Sequence, residues 1–215
     1  TATSENRFKF FEYPDAGPDT KTFNCTSGTF GWTGKFDIKF AADVVTVTVK
    51  IKLINRLGAT PAAGAALPAI GSAVTDADKA AMKADVEGKL SGKVKLYRKA
   101  CGFGGACSCP KPIKVVVDFV ESDAHHEVNL FQGAGRANSA NWTRVKTREN
   151  SWAHETGHLL GWYDEYTGGA VGTAPRWKPN ETAHIMNTGL TMPAEYAWDF
   201  RDWYAGKSGE DWNAK

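Results

Sequence analysis

Between Val45 and Leu53 the chain alternates without a break: Val45, Val47, Val49, Ile51 and Leu53 are apolar, and Thr46, Thr48, Lys50 and Lys52 are polar. A period of two places the apolar set on one face, so this stretch predicts a long, half-buried β-strand. Residues 113–120 read Ile-Lys-Val-Val-Val-Asp-Phe-Val, the near-continuous apolar run of a central strand, and shorter strands are expected at 93–97 and 127–131. After Thr75 and Asp76, either of which can cap a helix, the period lengthens. Ala80, Met82, Val86 and Leu90 predict a helix over 76–91 that ends near Gly92. Further helices are expected over 148–161 and over roughly 193–206, where Tyr196, Trp198, Phe200 and Trp203 lie on overlapping faces. Residues 1–34, polar and rich in Gly and Thr, predict irregular chain with at most short strands. Residues 57–73, broken by Gly and Pro, predict a loop or excursion, and another loop is expected around 133–140.

This order of elements, without a repeat or an evident linker, reads as a single α+β domain over 1–215. Residues 1–34 would be its irregular N-terminal segment, 35–147 its sheet and helix scaffold, and 148–215 the region that carries the chemistry. A hydrophobic content of 42% over 215 residues suffices for a full core. The charge of +2 arises from 26 basic and 24 acidic residues spread along the chain, which argues against a nucleic-acid partner. No apolar run reaches the roughly 20 residues that span a bilayer, so membrane insertion is not expected. A start at Thr1 predicts either a mature product or a domain of a longer polypeptide. Of the four cysteines, Cys101, Cys107 and Cys109 cluster in a Gly-rich segment and Cys25 stands apart. A disulfide from Cys25 to one member of that cluster, with a second loop closed inside it, is favoured over a structural zinc site, which would want paired Cys-x-x-Cys spacing; free thiols are the residual case.

The candidate chemistry lies in His154-Glu155-Thr156-Gly157-His158-Leu159-Leu160-Gly161-Trp162-Tyr163-Asp164. Histidines four apart share one face of a helix, so His154 and His158 can reach one metal ion. Glu155 points about 100° further round and suits a general base that holds a metal-bound water. A glycine at the helix end can adopt positive φ and reverse the chain, and Gly161 would thereby return Asp164 as third ligand. Gly157 costs about 1 kcal/mol against Ala inside a helix, which suggests close packing there. With Gly and a ligand-capable residue required at the eighth and eleventh positions, the pattern arises by chance in on the order of one chain in ten thousand.

This segment resembles the long zinc motif of the metzincin peptidases, in the snapalysin-like variant whose third ligand is Asp. The continuation Asp164-Glu165-Tyr166 is also similar to metallopeptidase domains of bacterial toxin and secretion-system effectors. The resemblance covers about residues 148–190. It implies a twisted mixed β-sheet with a helix packed on it, a bound Zn2+, and a methionine turn beneath the metal, for which Ile185-Met186-Asn187-Thr188-Gly189 stands in place. The implied activity is that of a zinc-dependent endopeptidase acting on a peptide or protein, with Glu155 activating the water. The implied setting is secreted or extracytoplasmic, as a monomeric toxin or effector domain with a secretion-apparatus or immunity-protein partner. The rival functions are a catalytically silent zinc-containing binding module and a zinc hydrolase of non-peptide substrates. Thr188 stands where astacin-like and serralysin-like members carry a tyrosine two residues after the Met, so Tyr163, Tyr166 and Tyr196 are the remaining oxyanion candidates.

Glu165, Glu181 and His184 are rival third ligands. His125 and His126, beside Asp123 and Glu127, read as a solvated turn more than as a second metal site, because adjacent strand residues face opposite ways. If 127–131 forms a sheet edge, it offers main-chain pairing to an extended peptide. The tryptophans near the motif, Trp142, Trp152, Trp162 and Trp177, read as core and cleft wall more than as a carbohydrate platform.

Overall fold

The alternating stretch is the axis of the sheet in the computed structural model, which describes residues 13–100, 110–133 and 135–215. As β3 (Val44–Arg56) it buries Val45, Val47, Val49 and Ile51 completely, while Thr46, Thr48 and Lys50 stay partly exposed. Each such apolar side chain contributes roughly 1.5–3 kcal/mol on burial. Along one edge β3 pairs in parallel with β5 (Lys111–Phe119). Along the other it pairs first with β2 (Phe30–Ala41), antiparallel, and beyond Lys50 with β6 (His126–Phe131), parallel. Lys50 O accepts from His125 N while Ile51 O accepts from Val120 N, and successive carbonyls of a strand face opposite edges. The central position expected for 113–120 is thus realised, with β4 (Lys95–Arg98) antiparallel to β5 and β8 (Trp212–Ala214) beyond it.

Four expectations need correction. Within residues 1–34, β1 (Ala16–Ser27) and the start of β2 form a long antiparallel hairpin in place of irregular chain. β1 buries little of its own surface and is held by its ladder to β2, so it carries no apolar alternation to read. β6 is not a free edge, since β7 (Asn141–Thr143) pairs with Asn129–Phe131. His125 and His126 are not a solvated turn: His125 faces Asp37 at 3.3 Å and accepts from Lys50 N, and His126 Nε2 bonds Lys35 O at 2.8 Å. Cys25 is a free, buried thiol 3.7 Å from Gly161 O, which removes it from the expected disulfides; Cys101, Cys107 and Cys109 lie outside the described residues.

Three α-helices complete the α+β arrangement among the described residues. α1 (Asp76–Leu90) starts with Thr75 and Asp78 in a reciprocal capping box and buries Met82, Val86 and Leu90; Ala80 faces solvent instead of the core. It packs against β5 and against α2 (Ser151–Leu159), which is shorter than the expected 148–161. α3 (Trp198–Ser208) follows a 3-10 turn at Ala194–Ala197 and buries Phe200, Trp203 and Tyr204. No described helix is long and apolar enough to cross a membrane. Side chains from the sheet and all three helices join in one core, and α2 is buried along almost its whole length within it.

Candidate metal centre

α2 is an unusual helix because its polar face is buried too: His154, Glu155, Thr156 and His158 all lie inside. Burial of that kind requires partners for every polar atom. Thr156 Oγ1 donates to Trp152 O at 2.8 Å. His154 Nδ1 bonds Ile185 O and His158 Nδ1 bonds Trp162 O, each at 2.9 Å. A carbonyl can only accept, so both Nδ1 atoms carry a proton, and it is the Nε2 atoms that can turn lone pairs on a metal ion. Asn150 adds a second clamp, its Nδ2 donating to Ile185 O and Asn187 O at 3.0 Å each.

The helix ends in a Schellman turn. Trp162 N donates to Gly157 O and Gly161 N to His158 O, both at 2.9 Å, with Gly161 at φ +85°. Gly34 of β2 lies against this turn so closely that a Cβ on it would sit 2.5 Å from Gly161 N. The reversal brings Asp164 back, where its N donates to Ala170 O at 2.9 Å and its Oδ2 accepts from Ala170 N at 2.7 Å. Its Oδ1 then faces His154 Nε2 at 3.0 Å and His158 Nε2 at 3.3 Å.

Those three atoms decide what the cluster can do. Two imidazole lone pairs and a carboxylate oxygen repel one another unless a positive charge lies between them, and Asp164 Oδ1 is buried with no hydrogen-bond donor of its own. A tetrahedral zinc shell with ligands at about 2.0–2.1 Å sets its donor atoms roughly 3.3 Å apart, close to the spacing seen. His154, His158 and Asp164 therefore fit a metal ion, and the described residues contain no other such group. Burial pushes the Asp164 carboxyl up, but in the metal-free site protons on the His154 and His158 Nε2 atoms, standing where an ion would, outweigh this and hold it well below the usual carboxylate range. Glu155 shows the opposite behaviour. Burial pushes it up to about 7, aided by Asp164, and its Oε2 has no partner.

The rival ligands are engaged elsewhere. Glu165 is fully buried and accepts from Lys178 N at 2.8 Å while His184 Nδ1 lies 2.6 Å from its other oxygen. Glu181 is exposed and accepts from Ala183 N. Met186 is fully buried beneath the helix, and a Cβ on Gly157 would overlap its Sδ and stand 2.9 Å from Trp162 Cε3. Close packing at Gly157 thus has a definite cause.

His154 and Glu155 open on a cleft of about 710 Å3, lined also by Arg136, Arg148, Tyr166 and Asn187. Of the three oxyanion candidates only Tyr166 lines it; Tyr163 accepts from Thr26 N on β1, and Tyr196 is buried among Trp162, Trp177 and His184. Trp142, Trp162 and Trp177 are core, and no tryptophan reaches the cleft wall. Reading the sequence missed Arg136, Arg148 and Asn150. Asn150 was open to detection as a cap-type residue four before His154, whereas the two arginines sit in stretches with no periodic signal. No family model matches the chain, and no curated protein or solved structure matches it either.

Proposed function

We propose that the chain is a metal-dependent hydrolase of peptide bonds, a zinc endopeptidase of metzincin type with His154, His158 and Asp164 as ligands and Glu155 as general base. The observation that supports it is the pairing of a three-donor cluster with an unpartnered carboxylate at the floor of an open cleft. A structural zinc site would be closed by a fourth protein ligand, and the described residues supply three. Two histidines and one carboxylate also serve ferrous oxygenases, but those have no use for a base such as Glu155 beside the open position.

When bound, zinc supplies Lewis acidity, bringing the pKa of water down to about 7 and polarising the scissile carbonyl. Glu155 takes the proton of the attacking water on a carboxylate oxygen and returns it to the leaving amine, a role suited to a carboxyl whose pKa burial has raised. Tyr166 Oη already accepts from Arg136 Nη2 at 3.3 Å, so its own proton is free to donate to charge developing on the carbonyl oxygen. The Nδ1 bonds to Ile185 O and Trp162 O hold both imidazoles in the ligating tautomer. The toxin or effector setting, with delivery outside the producing cell, rests on the resemblance of 154–166 and is proposed together with it.

The test is metal analysis of the chain as purified and again after zinc loading, alongside cleavage of casein with and without chelator. One zinc per chain, chelator-sensitive cleavage, and a Glu155→Gln variant that keeps zinc and loses turnover are expected. Near wild-type cleavage by Glu155→Gln would overturn the mechanism, and iron in place of zinc would overturn the reaction class.

A further inference from the structure

We infer that the cleft selects peptides carrying an Asp or Glu side chain next to the bond to be cut, and that Arg136 and Arg148 are the residues that read it. This rests on the peptidase reading above and names its substrate class. Among the side chains lining the cleft, Glu155 is the only acid, and Arg136 and Arg148 are the permanently charged bases. The other described arginines are committed within the fold: Arg98 to Glu210, Arg144 to Asp78, Arg176 to Asp199, Arg201 to Asp202, and Arg56 to Asn129 and Pro68 O. Arg136 and Arg148 make no ion pair with any described carboxylate. Arg136 spends one N–H on Tyr166, which leaves most of its planar fork for a carboxylate.

The backbone beside Arg136 is also braced. Its loop rests on the Gly- and Pro-rich excursion after β3, because Gly133 N donates to Gly58 O at 2.9 Å and Gly135 lies hard against the Thr60 side chain. Arg136 itself is exposed, and its bond to Tyr166 turns the guanidinium toward the cleft, which meets part of the entropy of ordering it on a ligand. Through Tyr166, whose ring centroid is 6.0 Å from that of His154, the guanidinium is tied to the metal centre itself. The rest of the lining, including Thr147, Asn150, Ser151 and Asn187, is neutral and adds no repulsion against an anion. Apart from Glu155 itself, an extended peptide laid over His154 meets only the two arginines as charged side chains of the lining, and the matching side chain is a carboxylate.

Binding to zinc-loaded Glu155→Gln protein, followed by calorimetry, tests this without turnover. The probes are acetylated, amidated peptides of Ala, Ser and Gly whose central pair is Asp-Glu, Ala-Ala or Lys-Lys, and the Ala-Ala peptide with a free C-terminal carboxylate. The Asp-Glu peptide should bind at least about ten-fold more tightly than Ala-Ala, with most of the gap lost in Arg148→Gln, in Arg136→Gln, and on raising salt from about 50 to about 500 mM. Arg148→Lys, which keeps the charge, should retain part of the gap. Equal affinity for the three central pairs, no detectable binding of Asp-Glu, or a gap that survives Arg148→Gln would overturn the proposal. Tightest binding by the free C-terminus would reassign the arginines to a chain end and overturn it too. Zinc content and wild-type casein cleavage report separately on the peptidase reading.

Discussion

Two helical glycines, Gly88 in α1 and Gly157 in α2, should respond to alanine in opposite directions. At Gly88 a Cβ meets nothing within 4 Å, so the substitution acts only through the backbone entropy of the unfolded chain and should stabilise by about 0.5–1 kcal/mol. The same propensity gain is available at Gly157. There, however, the new methyl overlaps Met186 Sδ and stands 2.9 Å from Trp162 Cε3, and both side chains are fully buried in the core. Overpacking of this kind costs typically 1–3 kcal/mol, and the rigid indole cannot retreat as a thioether can, so the upper part of that range applies. The net expectation is a loss of about 1–2 kcal/mol. In a chain of this size each kcal/mol moves Tm by roughly 2–4 °C, which separates the two variants by about 3–12 °C. Urea unfolding of both variants with zinc present gives the sign directly. A Gly157→Ala, Met186→Ala pair should show coupling of about 1–3 kcal/mol, because removing the thioether opens the space the methyl needs. If Gly157→Ala proves as stable as the parent, or the pair shows no coupling, Met186 does not pack beneath the motif helix as described.

Asp164→Ala should abolish zinc binding, while Glu181→Ala leaves the metal content unchanged, since Glu181 is exposed and bonded only to its own turn. Gly34→Ala should cost more than Gly157→Ala, above about 2 kcal/mol by thermal unfolding, because its Cβ would press on the backbone of Gly161. In metal-free protein Glu155 is raised in the folded state, so the fold binds an extra proton and stability falls as pH rises from about 4.5 towards 7. Glu155→Gln removes that loss, and should be the more stable of the two metal-free proteins at pH 8 but not at pH 4.5. On the proposed peptidase reading, activity of the zinc-loaded protein should fall as pH drops through a limb at or below 7, the metal's charge pulling Glu155 down, and kcat/KM profiles would show it.

Motif spacing carried much of the candidate site. His154, Glu155 and His158 are placed by helical geometry alone, and Gly161 announces the reversal that returns Asp164, because both are local consequences of backbone dihedrals. Spacing favoured Asp164 but could not exclude Glu165, its neighbour in sequence. That choice is made by Ala170, which bonds both the backbone and Oδ2 of Asp164, and by His184 and Lys178 N, which occupy Glu165. Nor could it find Arg136 and Arg148, whose meaning depends on what fails to lie beside them.

The same division holds for the fold. Strict alternation in β3, the apolar run of β5, and the Thr75 cap of α1 are visible in the chain because each element buries a face of its own. β1, β7 and β8 leave no such trace: they are short or thinly buried, and ladder bonds to a neighbouring strand hold them where their side chains would not. Sequence alone therefore determined which residues could ligate a metal and which carboxylate stands beside them on the helix. Tertiary structure decided which carboxylate faces the imidazoles and which arginines face the cleft, because both depend on contacts between segments far apart in the chain, on which local periodicity is silent.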